Sequence, residues 1–458
     1  MKNGNYMEQT KFYLITDTHF YKHSLSEYDN EYYDDFMHYE QKCFAETQAI
    51  NEAVFDYLEK ADEADTVLIA GDLSFNGEKE SHLAFIEHLK KLKEKGKRVL
   101  VVTADHDFKD KPDGCFGFDK NGWIHPESTP RSELIELYKD FGFADAIEVD
   151  KQHLSYVYQL SDGVRLLALN NDGTADGRRV FEESHIQWIL EQTKKAREDG
   201  QMLFAMNHYP LLPGQPILSL VKSAYQRDAY EVTKLLADEG VHLVFTGHMH
   251  NQSINCITTE KGNKFYDVCT GSIIADPSVI RLVSIIDEET VDIKTLETPD
   301  FEWDTKGKTC KQYLSDLFDN MIVNVLDDMS FDTERMMRKF GVKSHKGLIH
   351  TIGKILQKIT LGGLGRLMCF KVDPSIKKLK VKDFAAELVR MVFEGNQYFA
   401  PGTPKGDALI AFVNRMKPIL KKIKAKGFDE QPADIADLII NSAYNYDIDD
   451  YNAVLKLK

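Results

Sequence analysis

No stretch of about 18 consecutive apolar residues occurs in the 458-residue chain, so no membrane-spanning helix is expected. The N-terminal run MKNGNYMEQTKFYLITDTHF lacks the apolar core and small-residue cleavage site of a secretory leader. The six cysteines are Cys43, Cys115, Cys256, Cys269, Cys310 and Cys369, and no two stand in a CxxC pair. They therefore indicate neither a zinc ribbon nor a redox motif. A reduced, cytoplasmic protein is the simplest expectation. Internal repeats and low-complexity segments are absent. The glycine cluster LGGLGRL at 361–367 lacks the Lys-Ser/Thr ending of a phosphate loop and reads as a turn between helices.

Positive charge is scarce in the first 300 residues, where 31 Lys and Arg stand against 53 Asp and Glu. In residues 301–458 the balance reverses, with 26 basic against 20 acidic residues. A first part that acidic repels bulk nucleic acid, and it needs cations to hold an anion. The mildly basic remainder reads as solvated helix faces.

Short β-rich runs alternate with helical stretches up to about residue 300. The strand candidates are KFYLIT (11–16), TVLIA (66–70), RVLVVT (98–103), RLLALN (165–170), MLFAMN (202–207) and VHLVFTG (241–247). SINCITT, NKFYDVCTG and VIRLVSII follow closely, without helices between them, and read as antiparallel. The pattern predicts an α/β fold with a buried mixed sheet. After residue 300 apolar residues recur at three- and four-residue spacing, which predicts helices. Two domains are expected, 1–300 and 301–458, the second all-α, with a linker near 296–308.

Potential metal ligands stand at the ends of five of these strands. LITDTH carries Asp17 and His19, LIAGDL carries Asp72, and VVTADHD carries Asp105 and His106. AMNHYP carries His208, and FTGHMH carries His248 and His250. Strand ends of an open α/β sheet gather along one edge, where ligand sites form. Carboxylates and imidazoles together suit Mn, Fe or Zn. A single Asp-x-His is a chance event, whereas five such stations in order are not. The other ten histidines, His153 and His185 among them, read as structural or solvent-facing. LNND (169–172) reads as a turn. Phe116, Phe118 and Trp123 are read equally as local packing and as a stacking platform for a base.

In order and spacing these stations resemble the calcineurin-like metallophosphoesterase superfamily, whose pattern is Asp-x-His, Gly-Asp, Gly-Asn-His-Asp/Glu, His and Gly-His-x-His. The resemblance covers roughly residues 11–286. It is nearest to bacterial members with a helical C-terminal extension, some of which act on cyclic nucleotides. It implies two packed mixed β-sheets flanked by helices and two divalent or trivalent metal ions. It also implies a phosphodiester or phosphomonoester substrate, a nucleotide among the candidates, attacked by a hydroxide bridging the metals. By position, Asp17, His19 and His250 would hold one metal, Asp72 both, and Asp105, His208 and His248 the second. His106 would be the catalytic residue that protonates the leaving oxygen.

Two letters depart from that pattern. Asp105 stands where the superfamily has Asn and adds a negative charge to the second metal. Ala104 stands in place of Gly and takes positive φ less cheaply. The alternative function is therefore a catalytically weakened metal-binding protein with a regulatory or binding role. No membrane partner is expected.

Overall fold

The computed structural model describes residues 10–172, 180–395, 399–444 and 448–458. Its strands, in chain order, are β1 (Thr10–Ile15), β2 (Thr66–Ala70), β3 (Arg98–Val102), β4 (Gly117–Asp119), β5 (Gly122–Ile124), β6 (Glu148–Asp150), β7 (Ser155–Ser161) and β8 (Val164–Leu169). They continue with β9 (Met202–Asn207), β10 (Leu243–Thr246), β11 (Ser253–Thr258), β12 (Lys264–Cys269), β13 (Val279–Asp287), β14 (Thr290–Glu297) and β15 (Ala453–Lys456). One six-stranded sheet has the order β15-β14-β13-β1-β2-β3, and a seven-stranded sheet has the order β11-β12-β10-β9-β8-β7-β6. β4 and β5 form a separate hairpin.

The six-stranded sheet is parallel on one side, out to its edge strand β3, and antiparallel on the other, whereas the seven-stranded sheet has a parallel centre with antiparallel flanks. β1, β2 and β3 run parallel, as do β8, β9 and β10. β12 also runs parallel to β10, so only part of the closing strand group is antiparallel as expected. Alternation along β1 explains why the sheets stack. Phe12 points into the interface against Phe204 of β9 and Phe245 of β10, at ring-centroid distances of 5.5 and 5.4 Å. Its neighbour Tyr13 points the other way, to Tyr57 in the helix Thr47–Lys60. That helix and Lys79–Glu94 cover the first sheet with Val54, Phe55, Leu58, Phe85 and Leu89. The helices Glu183–Glu198 and Ala229–Asp238 cover the second with Ile189, Ala196, Val232 and Leu236. Burying one such large side chain contributes about 1.5–3 kcal/mol.

The C-terminal helices, from Cys310–Asp328 to Ile435–Ser442, include a small core of their own around Phe384, Met391, Phe399, Leu409 and Val413. The region is not wholly helical, because β15 returns to pair antiparallel with β14, Leu455 opposite Val291. Four residues with one buried side chain leave too little pattern to announce an edge strand. The segment LGGLGRL is a helix, Leu361–Met368, and not a turn. Thr360 caps it by accepting from Gly363 N at 3.2 Å. Its glycines answer close packing: a Cβ on Gly365 would lie 2.8 Å from the Phe370 carbonyl oxygen.

Candidate metal centre

Parallel strands deliver their C-terminal ends to one edge, and both sheets do so on the same side of the molecule. Asp17 and His19 follow β1, Asp72 follows β2, Asp105 and His106 follow β3, His208 follows β9, and His248 and His250 follow β10. Five of these eight adopt left-handed backbone: Asp17 (φ 50°), His19 (37°), Asp72 (50°), His248 (71°) and His250 (50°). Each such non-glycine residue costs roughly 1–3 kcal/mol, and such strain persists only where the surroundings over-determine it. Here they do. Asp17 N donates to Gly71 O at 3.0 Å, His19 N to Asp72 O at 2.8 Å and Gly247 N to His208 O at 2.9 Å. Ser272 Oγ donates to Asp17 O at 2.7 Å, so the segment that follows β12 supports the first station from behind.

Asp17, His19, Asp72, His208 and His250 are all buried. His250 Nε2 lies 3.2 Å from Asp17 Oδ1 and 3.1 Å from His19 Nε2. His208 Nε2 lies 3.1 Å from Asp72 Oδ2, which is also 3.6 Å from His19 Nε2. Donor atoms of Asp17, His19 and His250 fall within 4.8 Å of one another, as do those of Asp17, Asp72 and His208 and those of His19, Asp72 and His106. Asp17, His19 and Asp72 each belong to two of these sets, so the sets form one continuous cluster. Asp105 and His248 join none of these three sets. Both are half-buried at its margin.

Outer hydrogen bonds fix which nitrogen of each ring faces inward. His208 Nδ1 donates to Ala70 O at 2.8 Å, leaving Nε2 as the acceptor that confronts Asp72. His106 Nδ1 donates to Phe75 O at 2.6 Å. His248 Nε2 donates to Ser223 O at 2.8 Å, which makes Nδ1 its acceptor nitrogen. His248 N also donates to both oxygens of Asp17, at 3.1 and 3.0 Å.

The electrostatics call for positive charge at the centre. Burial alone raises the Asp72 carboxyl, but His208, His106 and His19 pull it well below the usual range. Burial opposes protonation of His208, yet Asp72 and Asp17 push it up to about 10. Either a proton or a metal cation satisfies these carboxylates. Burial keeps His19 well below the usual value, with the Lys42 ammonium the next cause. The same two causes, in the same order, lower His106. The buried nitrogens His208 Nε2, His19 Nδ1 and His250 Nδ1 have no hydrogen-bond partner. Mixed imidazole and carboxylate donors that face one another without protons to share fit transition-metal ions.

The remaining residues sort clearly. Asp107 accepts from Ser74 N and Ala104 N, each at 2.8 Å, so it ties loops together without orienting the His106 ring. Ala104 is not among the positive-φ residues, and the change from glycine needs no backbone strain. Asn170 donates to Thr103 O at 2.6 Å and joins the ends of β8 and β3. Asp172, read from the sequence as part of a turn, reaches the site. Burial, and next the Asp105 charge, push its carboxyl up to about 7. Phe118 is buried among Tyr33, Phe36 and Phe44, which is local packing, whereas Trp123 is largely exposed. Lys42 was not legible in the sequence. It is buried with its ammonium 4.4 Å from the Phe75 ring centroid, and it forms no ion pair among the described residues.

The family model for calcineurin-like phosphoesterases matches residues 10–252, more than half of the chain. No curated protein matches the sequence significantly. Among solved structures, a dimetal phosphatase from Danio rerio is 13% identical with a TM-score of 0.43, covering 63% of this chain and 96% of that one. A purple acid phosphatase from yellow lupin (Lupinus luteus) seeds is also 13% identical, with a TM-score of 0.43, covering 65% and 52%. A 5'-nucleotidase precursor from Thermus thermophilus is 12% identical, with a TM-score of 0.38, covering 73% and 68%. The chain belongs to the calcineurin-like phosphoesterase family.

Proposed function

We propose that this family member is a phosphodiesterase working through a dimetal centre, with cyclic nucleotides among its substrate candidates. Family membership supports metal-dependent phosphoester hydrolysis. The observation that carries the finer reading is the convergence of Asp17, His19, Asp72, His208 and His250 at the strand ends. In this reading Asp17, His19 and His250 hold one ion, Asp105, His208 and His248 the other, and Asp72 both. Mn, Fe or Zn, when bound, would neutralise phosphoryl oxygens and supply water of lowered pKa.

The chain's own groups do the rest. His106, pinned through Nδ1 to Phe75 O, presents Nε2 to the leaving oxygen and, when protonated there against the bound phosphate, donates that proton to it. The Lys42 ammonium, which bears on both His19 and His106, holds a phosphoryl oxygen. Asp105 and Asp172 favour a diester. Asp105 adds negative charge beside the phosphate, Asp172 adds more as it ionises above about pH 7, and a dianionic monoester is repelled more than a monoanionic diester. The same two acids support a second reading, a weakened enzyme retained for binding. Hydrolysis of bis(p-nitrophenyl) phosphate and p-nitrophenyl phosphate with Mn²⁺ separates the readings. Diester turnover above monoester turnover is expected. A metal-loaded protein with no turnover of either, and activity only after Asp105→Asn, would establish the weakened enzyme instead.

A further inference from the structure

A second cluster of metal-binding side chains lies outside the centre described above. β6 ends at Asp150 and the turn after it carries His153, and beside it the helix Glu183–Glu198 begins, with Glu182 at its N-cap and His185 in its first turn. The imidazoles of His153 and His185 are stacked, with centroids 4.3 Å apart and planes 3° from parallel. One donor atom from each of Asp150, His153 and His185 lies within 4.8 Å of the other two.

His185 is fully buried, and neither of its ring nitrogens has a hydrogen-bond partner. A buried neutral imidazole carries one N–H and one lone pair, and leaving such a group unsatisfied costs about 1–3 kcal/mol. Stacking on His153 leaves both nitrogens unsatisfied. The simplest structural role, a core histidine, therefore lacks the hydrogen bonds that core histidines make.

His153 is prepared differently. Its Nδ1 lies 2.6 Å from Asp150 Oδ2, and Asp150 Oδ1 accepts from Gln152 N and His153 N. Asp150 is thus committed to orienting the ring, as carboxylates behind metal-bound histidines do. Nε2 of His153 has no hydrogen-bond partner and lies 3.5 Å from Glu182 Oε2. Glu182, the N-cap, stands three residues before His185 in the first turn of the helix.

Charge favours a cation. Asp172, Asp110, Glu182 and Asp150 all act on Arg131, the guanidinium at this cluster. The helix N-terminus adds the equivalent of only about half a positive charge. Asp150 and Glu182 beside the two rings, with Asp110 next to them, outweigh the one guanidinium.

We infer that His153, His185 and Glu182 form a separate site for one divalent transition-metal ion, with Asp150 positioning His153. Two imidazoles and a carboxylate are a donor set suited to Zn²⁺, which leaves a fourth position for water. The parallel rings do not both aim at one point, so one must turn on binding. His185 has no hydrogen bond to lose and is the ring that turns. The ion would pin the turn after β6 to the helix start that follows Asp172, just beyond the phosphoesterase centre.

The test is metal stoichiometry of the full-length protein, stripped of metal and reloaded with Zn²⁺ alone, then dialysed and measured by inductively coupled plasma mass spectrometry. Wild type should hold one equivalent more than Glu182→Gln and His185→Gln. Asp150→Asn should keep that equivalent with an affinity about 10–100-fold weaker. Asp72→Asn should retain it whatever happens at the main centre, so failure of the dimetal reading would leave this result standing. Glu182 is part-exposed, so Glu182→Gln serves if His185→Gln does not fold. Equal stoichiometry in wild type and folded Glu182→Gln would overturn the assignment.

Discussion

Nε2 of His19 and Nε2 of His250, 231 positions apart in the chain, face each other at 3.1 Å. Asp17 Oδ1 lies 3.2 Å from the second and 3.7 Å from the first. At most one proton fits between two such nitrogens, whereas one cation satisfies both lone pairs and the carboxylate. Stripping with a chelator should therefore abolish phosphoester hydrolysis, and Mn²⁺, Fe²⁺ or Zn²⁺ should restore it. Metal at 100 times its dissociation constant should add about 2.7 kcal/mol of stability. Thermal melts with and without metal, repeated on His250→Ala, check this; an unchanged melting temperature in wild type would count against a metal centre.

Asp105→Asn removes one negative charge beside Asp172. The Asp172 carboxyl, now pushed up to about 7 by burial and by that charge, should titrate lower. Monoester kcat/KM should rise more than diester kcat/KM, because the more highly charged substrate gains more from the lost repulsion. Steady-state kinetics on both aryl esters reads the ratio, and a fall in both would contradict the electrostatic argument.

His106 and Lys42 should separate in kinetics. His106→Gln should lower kcat about 10²–10⁴-fold with metal content unchanged, as expected for loss of a general acid. Lys42→Gln should act mainly on KM, because a charge-assisted hydrogen bond to the bound anion is lost. A His106→Gln protein that loses metal would instead make His106 a ligand.

Gly71→Ala should damage the Asp17, Asp72 and His208 cluster. Gly71 has φ +94°, and an added Cβ would lie 2.6 Å from His208 Nδ1. The backbone penalty alone is about 1–2 kcal/mol. The displaced ring would lose its bond to Ala70 O and, with it, the aim of Nε2 at Asp72. Urea denaturation and metal content should both fall, and wild-type values in both would show that the ring can yield.

His82 should make the protein acid-sensitive. It is buried between the Tyr138 hydroxyl, 2.6 Å from Nδ1, and Asp107 O, 2.8 Å from Nε2. Burial lowers its pKa from 6.5 to about 4. Below pH 6.5 the unfolded chain binds a proton that the folded chain refuses, so stability falls as pH drops from 6.5 towards 4 and then levels off. Above pH 6.5 the group contributes no pH dependence. The full loss is roughly 3 kcal/mol. Urea midpoints at pH 7 and pH 4.5 should differ less in His82→Gln than in wild type.

The central strands were legible because each is a short apolar run closed by polar residues; TVLIA at 66–70 is β2 to the residue. β15 was not, because an edge strand depends on what lies beside it. β15 exists through pairing with β14, to which only the fold brings it. LGGLGRL misled for a related reason. Its glycines answer the close approach of the Phe370 and Lys377 backbone, and sequence carries no trace of that distance.

By itself the sequence determined the stations Asp17, His19, Asp72, Asp105, His106, His208, His248 and His250, because each is tied by covalent geometry to a strand end, and parallel strands end together. Only the tertiary structure decided what surrounds them. Lys42 comes from a loop with no motif and reaches Phe75. Asp172 becomes a neighbour of Asp105 across two strands. His153 and His185 stack although they are 32 positions apart in the chain. Side-chain charge acts through space over a few ångströms, and those distances are set by packing rather than by position along the chain.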